Sequence, residues 1–103
     1  MPEPSPARPL LLTGDPVLLE EVLPLAAAAG TELHLVIEPG AAGAAWLAAP
    51  LVLVGEDCLG ELTRHRLPRR NGIVLLFPGL DPHTAAWLTG RLREAGGVNV
   101  ARH

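Results

Sequence analysis

The chain has 103 residues, a net charge of −3 and a pI near 5.7. Its residues are 49% hydrophobic and 18% charged, too apolar for a disordered segment and long enough for one domain with a core of its own. All eight basic residues are arginine, which excludes lysine Schiff-base chemistry and the P-loop lysine. The acidic balance argues against nucleic acid as a partner. The single cysteine excludes an internal disulfide and suits the cytosol. No run reaches the ~18 apolar residues of a membrane span, so no direct membrane insertion is expected.

Residues 1–8 form a proline-rich segment that reads as a disordered lead-in. Residues 9–103 read as one α/β domain. Leu10–Thr13 is a short apolar strand. Asp15-Pro16 places a capping acid before a proline at the first helical position. The helix it opens runs to about Ala29 and stops at Gly30, with Pro24 expected to kink it or end its first half. Glu32–Ile37 is the second strand. Glu38-Pro39 opens a second helix through about Ala48, with Ala42, Ala45, Trp46 and Ala49 on one face. Leu51–Val54 is a third strand, apolar throughout, which needs cover on both faces as in a parallel sheet.

Glu56-Asp57 opens a third helix to about His65, which Pro68 keeps from continuing. Asn71-Gly72 marks a turn, and Ile73–Phe77 is a fourth, wholly apolar strand. Asp81-Pro82 repeats the capping signal. The fourth helix runs to about Ala95, with Ala85, Leu88, Leu92 and Ala95 inward and Gly96-Gly97 ending it. Val98–Val100 reads as a fifth strand, with no helix after it. This alternation predicts a parallel sheet with right-handed crossovers.

In such a sheet, ligands bind beyond the carboxyl ends of the strands. Those ends carry Thr13-Gly14-Asp15, Gly55-Glu56-Asp57 and Phe77-Pro78-Gly79. Only one glycine follows the first strand, so the pyrophosphate-cradling pattern is absent and no cofactor is expected. Asp15, Glu56 and Asp57 have two readings. Either they converge as oxygen ligands of Mg²⁺, making the edge a small-ligand or cation sensor, or Asp15 and Asp57 are helix N-caps. Cys58 reads as a packed structural residue, because Glu56 and Asp57 oppose a thiolate. His34, His65, His83 and His103 lack ligand spacing. No nucleophile accompanies a base, and no G-x-S-x-G occurs, so an enzyme is not expected. Arg64, Arg66, Arg69 and Arg70 either complement the dipole at the end of the third helix or meet an acidic partner. No aromatic platform accompanies them for nucleic acid. Trp87 flanks the inward stripe of the fourth helix, either as core or as an interface anchor.

Leu10-Leu11-Leu12-Thr13-Gly14-Asp15-Pro16, together with the element order, resembles the opening of a response-regulator receiver domain. That resemblance implies a flavodoxin-like (CheY-like) three-layer sandwich. Its sheet would have about five parallel strands in the order 2-1-3-4-5, here with the last helix missing. In the receiver pattern the acid pair falls on Thr13 and Gly14, with Asp15 next. The phosphoacceptor position falls on Gly55, the hydroxyl position near Phe77, and the lysine has no counterpart. The resemblance therefore implies a pseudo-receiver.

A narrower resemblance rests on Pro9–Asp15, Leu25–Gly30, Ala44-Ala45-Trp46, Ala49–Gly55 and Leu67-Pro68-Arg69-Arg70, most specifically on the run from Trp46 to Gly55. These segments are similar to the CheY-like N-terminal domain of actinobacterial septum site-determining, CpaE-like proteins, which place a MinD/ParA-type ATPase after it. The resemblance implies a cytoplasmic, non-catalytic regulatory module. Its partner would be such an ATPase domain or a second copy of itself. The partner surface would lie on the fourth helix and fifth strand, with Trp87, Arg91 and the Arg64, Arg66, Arg69 and Arg70 cluster.

Overall fold

The computed structural model describes residues 8–65, 67–68 and 70–101; the expectations for residues 1–7, Arg66, Arg69, Arg102 and His103 lie outside them. The elements run β1 (Leu10–Leu12), α1 (Pro16–Ala28), β2 (His34–Val36), α2 (Ala45–Ala48), β3 (Val52–Gly55), α3 (Leu59–His65), β4 (Ile73–Leu76) and α4 (Pro82–Ala101). One 3₁₀ turn, Pro39–Ala41, precedes α2, and another, Glu56–Cys58, leads into α3. The described strands form one parallel sheet in the order β2-β1-β3-β4. Leu11 stands beside Leu35 on one side and Leu53 on the other, and Leu53 stands beside Val74.

Each face of this sheet has its own core. Leu10, Leu12, Val36, Val52 and Val54 pack on Ala42, Trp46, Ala49 and Cys58, with Ala45, Leu62 and Leu67 partly buried around them. Leu11, Leu53 and Leu76 pack on Leu18, Val22 and Ala26 of α1 and on Leu88 and Leu92 of α4. The inward stripe expected for the second helix is therefore observed, and that of the fourth at Leu88, Leu92 and Ala95, whereas Ala85 is half-buried and outside the core cluster. The wholly apolar third strand is buried on both faces, as its composition requires. β4 is different. Only Leu76 is buried, and Ile73 and Leu75 are exposed.

Asp15 caps α1 through its side chain, which accepts from the Val17 N–H at 2.9 Å. The helix ends in a Schellman arrangement: Gly30 N–H donates to Ala27 and Thr31 N–H to Ala26, with Gly30 at φ 68°. Pro24 does not divide it. Pro24 and Glu20 both lie on the exposed side, so the Glu20 carbonyl that loses its donor faces water. The second helix is much shorter than expected. Gly43, at φ 51°, separates the 3₁₀ turn from the single turn Ala45–Ala48.

The expected fifth strand at Val98–Val100 is not formed; those residues continue α4 through Gly96-Gly97. Glycine costs about 1 kcal/mol per helical position relative to alanine, which disfavours a helix without forbidding it. The position of α4 supplies the stronger reason. A right-handed crossover from β4 to a strand beyond it would carry α4 over the α2/α3 face, as α3 is carried between β3 and β4. Instead α4 packs beside α1. No helix follows α4 among the described residues, and α4 itself covers the face of the sheet on which α1 lies. Thr31, nearly buried, fastens the two helices by donating its hydroxyl to the Leu92 carbonyl at 2.9 Å.

Leu88→Ala should lower unfolding free energy by about 2–5 kcal/mol, because its side chain is fully buried between α4 and the sheet. Trp87→Ala, one residue away on the outer side, should change it by less than about 1 kcal/mol. Urea unfolding of the two variants checks the difference.

Candidate functional site

The carboxyl ends of β1 and β3 meet at Thr13, Gly14, Asp15, Gly55, Glu56 and Asp57. Thr13 is buried at the end of a fully buried strand, so its hydroxyl needs partners within the protein. It donates to Asp57 Oδ1 at 2.6 Å and accepts from the Asp15 N–H at 3.1 Å. The other oxygen of Asp57 accepts from the Gly14 N–H at 2.8 Å. Asp57 thus ties the β3 loop to the β1 loop. The reading of Asp57 as a helix N-cap is corrected: Gly55 occupies the cap position of the 3₁₀ turn, and no side chain caps it. Asp15 is a cap, as one of its two readings held.

Gly55 sits under this clasp. A Cβ there would lie 2.5 Å from Asp57 Oδ1, 2.6 Å from Thr13 Oγ1 and 2.9 Å from Leu18 Cδ2. All three distances are closer than real Cβ contacts come. The position that the receiver pattern assigns to a phosphoacceptor therefore has no room for any side chain.

Asp57 is partly desolvated, which raises its pKa. The hydrogen bonds from Thr13 and Gly14 outweigh that and hold its carboxyl below the ordinary 3.8. Cys58 is buried beside it, and burial together with the Asp57 charge pushes the thiol up to about 11. Its S–H lies 3.5 Å from the Ile37 carbonyl and 3.7 Å from Asp57 Oδ2. At neutral pH this is a protonated, packed thiol. Among the described residues, no three His, Cys, Asp or Glu side chains are grouped to hold a metal ion. Asp15, Glu56 and Asp57 are neighbours along the edge without converging on a cation.

The other singled-out residues disperse. Arg64 pairs with Glu61 at 3.4 Å, and His65 lies 3.6 Å from the same carboxylate. Arg70 Nε donates to the Asn71 carbonyl at 2.7 Å, and its Nη1 donates to the Trp46 carbonyl. The Trp46 indole donates to the Pro68 carbonyl at 2.7 Å. Arg70 is therefore a brace between α2 and the segment before β4. Trp87 lies outside the core, 46% exposed, with the Arg91 guanidinium 5.5 Å from its ring centroid. Glu94 stands 3.9 Å from Arg91. This cationic aromatic pair is on the outer side of α4.

Two contacts went unread in the sequence. One is the Thr13 hydroxyl, whose signal was a lone polar residue ending an apolar strand. The other is Glu21 of α1, whose two carboxylate oxygens accept from Gly79 N–H at 2.7 Å and Leu80 N–H at 2.8 Å. Nothing local marks Glu21, because its partners are 58 and 59 residues away. Asp81 caps α4 as expected, accepting from Thr84 N–H at 3.2 Å. No described helix is long and apolar enough to cross a membrane.

A parallel sheet in the order 2-1-3-4, helices on both faces and an interlocked β1/β3 carboxyl edge define a CheY-like, receiver-type α/β domain. Residues 12–101 match the family described as the Rv3660c-like, CheY-like N-terminal domain, and the chain belongs to that family. No curated protein and no solved structure matches it.

Asp57→Asn should remove the charge-assisted clasp and cost about 1–2 kcal/mol at pH 7, after allowing for solvent screening at this partly open site. Because folding depresses the Asp57 pKa, its contribution is complete above the unfolded value near 3.8 and is lost as pH falls through the folded value. The gap between the parent and Asp57→Asn should therefore close below about pH 4. Urea midpoints at pH 7 and pH 3 check it.

Proposed function

We propose that this domain is a pseudo-receiver: a receiver-shaped, non-catalytic regulatory module that acts by docking on another protein. The observation that carries this reading is Gly55. Its Cβ space is filled by Asp57, Thr13 and Leu18, so the clasp stands where a receiver holds its phosphoryl group. The chain also has no lysine. A domain of this shape without that chemistry works through its surface.

The partner we propose is a MinD/ParA-type ATPase, in the setting of septum placement or of secretion and pilus loci in the cytoplasm. Support comes from the resemblance of the Trp46–Gly55 run to CpaE-like proteins and from a family described as an N-terminal domain. The docking surface is the outer side of α4. An exposed tryptophan with an arginine over its ring joins two of the residue types enriched among those that dominate interface energy. Arg64, also exposed, lies on α3 and is not part of this surface.

Two experiments test the reading. After incubation with acetyl phosphate and Mg²⁺, intact mass should show no phosphoryl adduct, and Gly55→Asp should lose stability without acquiring one. An adduct on the parent protein would falsify the pseudo-receiver. Binding to the MinD/ParA-type ATPase of the same genome, followed by calorimetry, should weaken at least about tenfold in the Trp87→Ala, Arg91→Ala double variant. Unchanged binding would remove α4 as the surface.

A further inference from the structure

A groove runs along the outer side of β2. The His34 N–H donates to the Pro9 carbonyl, and the Val36 carbonyl accepts from the Thr13 N–H, so His34 and Val36 bond toward β1. Across a trans peptide the C=O and the next N–H point in opposite directions. The Leu35 N–H, the Leu35 carbonyl and the Ile37 N–H therefore point away from the sheet, and no described group bonds them there. A cavity of about 470 Å³ lies beside them, lined by Leu35, Val36, Ile37, Glu38 and Ala41. Leu35 and Ile37 are 41% and 62% exposed. Two donors, one acceptor, two apolar side chains and a carboxylate thus face one opening. Addition of an extended peptide needs this set: main-chain bonds hold the strand, and alternate side chains choose it.

Charge selects the occupant. The exposed acids Glu32 and Glu38 bracket the edge. Among the described residues no cation pairs with Glu38. Glu32 has Arg8 at 3.9 Å, and its own side chain is 86% exposed. A second copy fits poorly. Antiparallel pairing centred on Leu35 would set Glu32 opposite Glu38 at both ends, and like charges directly opposite are destabilising. A foreign strand with cationic ends meets the same two carboxylates favourably.

We infer that the β2 edge binds an extended, basic segment of a partner protein by strand addition. The Leu35 and Ile37 N–H groups donate to the segment's carbonyls, and the Leu35 carbonyl accepts one of its N–H groups. Apolar side chains at alternate positions of the segment lie on Leu35 and Ile37. An arginine or lysine at its end meets Glu38. The site shares no residue with the outer side of α4 and does not rest on the docking proposed there.

A random octapeptide library displayed on phage and selected on the full chain tests this. Selection at low salt should enrich alternating apolar residues with arginine or lysine at an end. The most enriched peptide, made synthetically, should slow hydrogen exchange at the Leu35 and Ile37 N–H groups. Its affinity should fall at least about tenfold in Glu38→Lys, where a cation replaces the carboxylate. Leu35→Pro removes one donor at an edge position where proline is tolerated, and should weaken binding as well. Glu38→Lys alone carries the test should Leu35→Pro fail to fold. The Trp87→Ala, Arg91→Ala double variant should bind the peptide as the parent does. No enrichment, enrichment of acidic peptides, protection confined to other strands or helices, or affinity indifferent to Glu38→Lys overturns the proposal.

Discussion

The structure depends on two strands that never meet water. β1 and β3 are buried along their whole length, so every backbone N–H and C=O in them needs a partner within the protein. The ladder supplies those partners on both sides. Leu10 N–H donates to Leu51, His34 N–H to Pro9, Thr13 N–H to Val36 and Val52 N–H to Gly72. Apolar side chains on both faces then require helices on both faces. The short β2 and β4 flank the centre, and α1 with α4 and α2 with α3 cover it. Most of the domain is the cover of about seven strand residues.

The same demand shapes the carboxyl edge. A strand as buried as β1 must emerge through a loop whose polar groups are still partly enclosed. Thr13 meets that condition by linking three things: the β1 end, the Asp15 backbone that starts the α1 cap, and the Asp57 carboxylate beyond β3. In an open α/β sheet this is where a ligand sits. Here the protein's own groups occupy it, and Gly55 is the residue that lets them approach. The chemistry of the edge is thereby turned inward, toward holding two loops together, and a low carboxylate pKa beside a high thiol pKa records the local polarity.

α4 introduces an asymmetry that the rest of the surface inherits. By lying against α1, with Thr31 bonded to the Leu92 carbonyl and Glu21 holding the turn at Gly79 and Leu80, it covers one face of the sheet over β1, β3 and Leu76 of β4. The other face is covered over β1, β3 and Val36 of β2, and Ile73 and Leu75 of β4 are exposed on it. The Trp87–Arg91 pair and the exposed apolar side of β4 therefore lie on opposite faces of the sheet.

The α/β class, the four strands, the inward faces of the second and fourth helices and the caps at Asp15 and Asp81 were legible in the sequence. Each rests on contacts within a few residues: a capping oxygen reaches two or three positions along the chain, and an apolar stripe repeats within one element. The sequence also placed the phosphoacceptor position on glycine by resemblance. Only the tertiary structure decided the rest. Asp57 reads locally as a cap, yet its partners come from a loop 43 and 44 positions earlier. Pro24 reads as a break, yet packing on the sheet carries α1 through it. Val98–Val100 reads as a strand, yet the face on which α4 lands leaves no right-handed route to one. Local propensity specifies which elements form, whereas burial and the handedness of connections determine which face each covers and which polar groups meet.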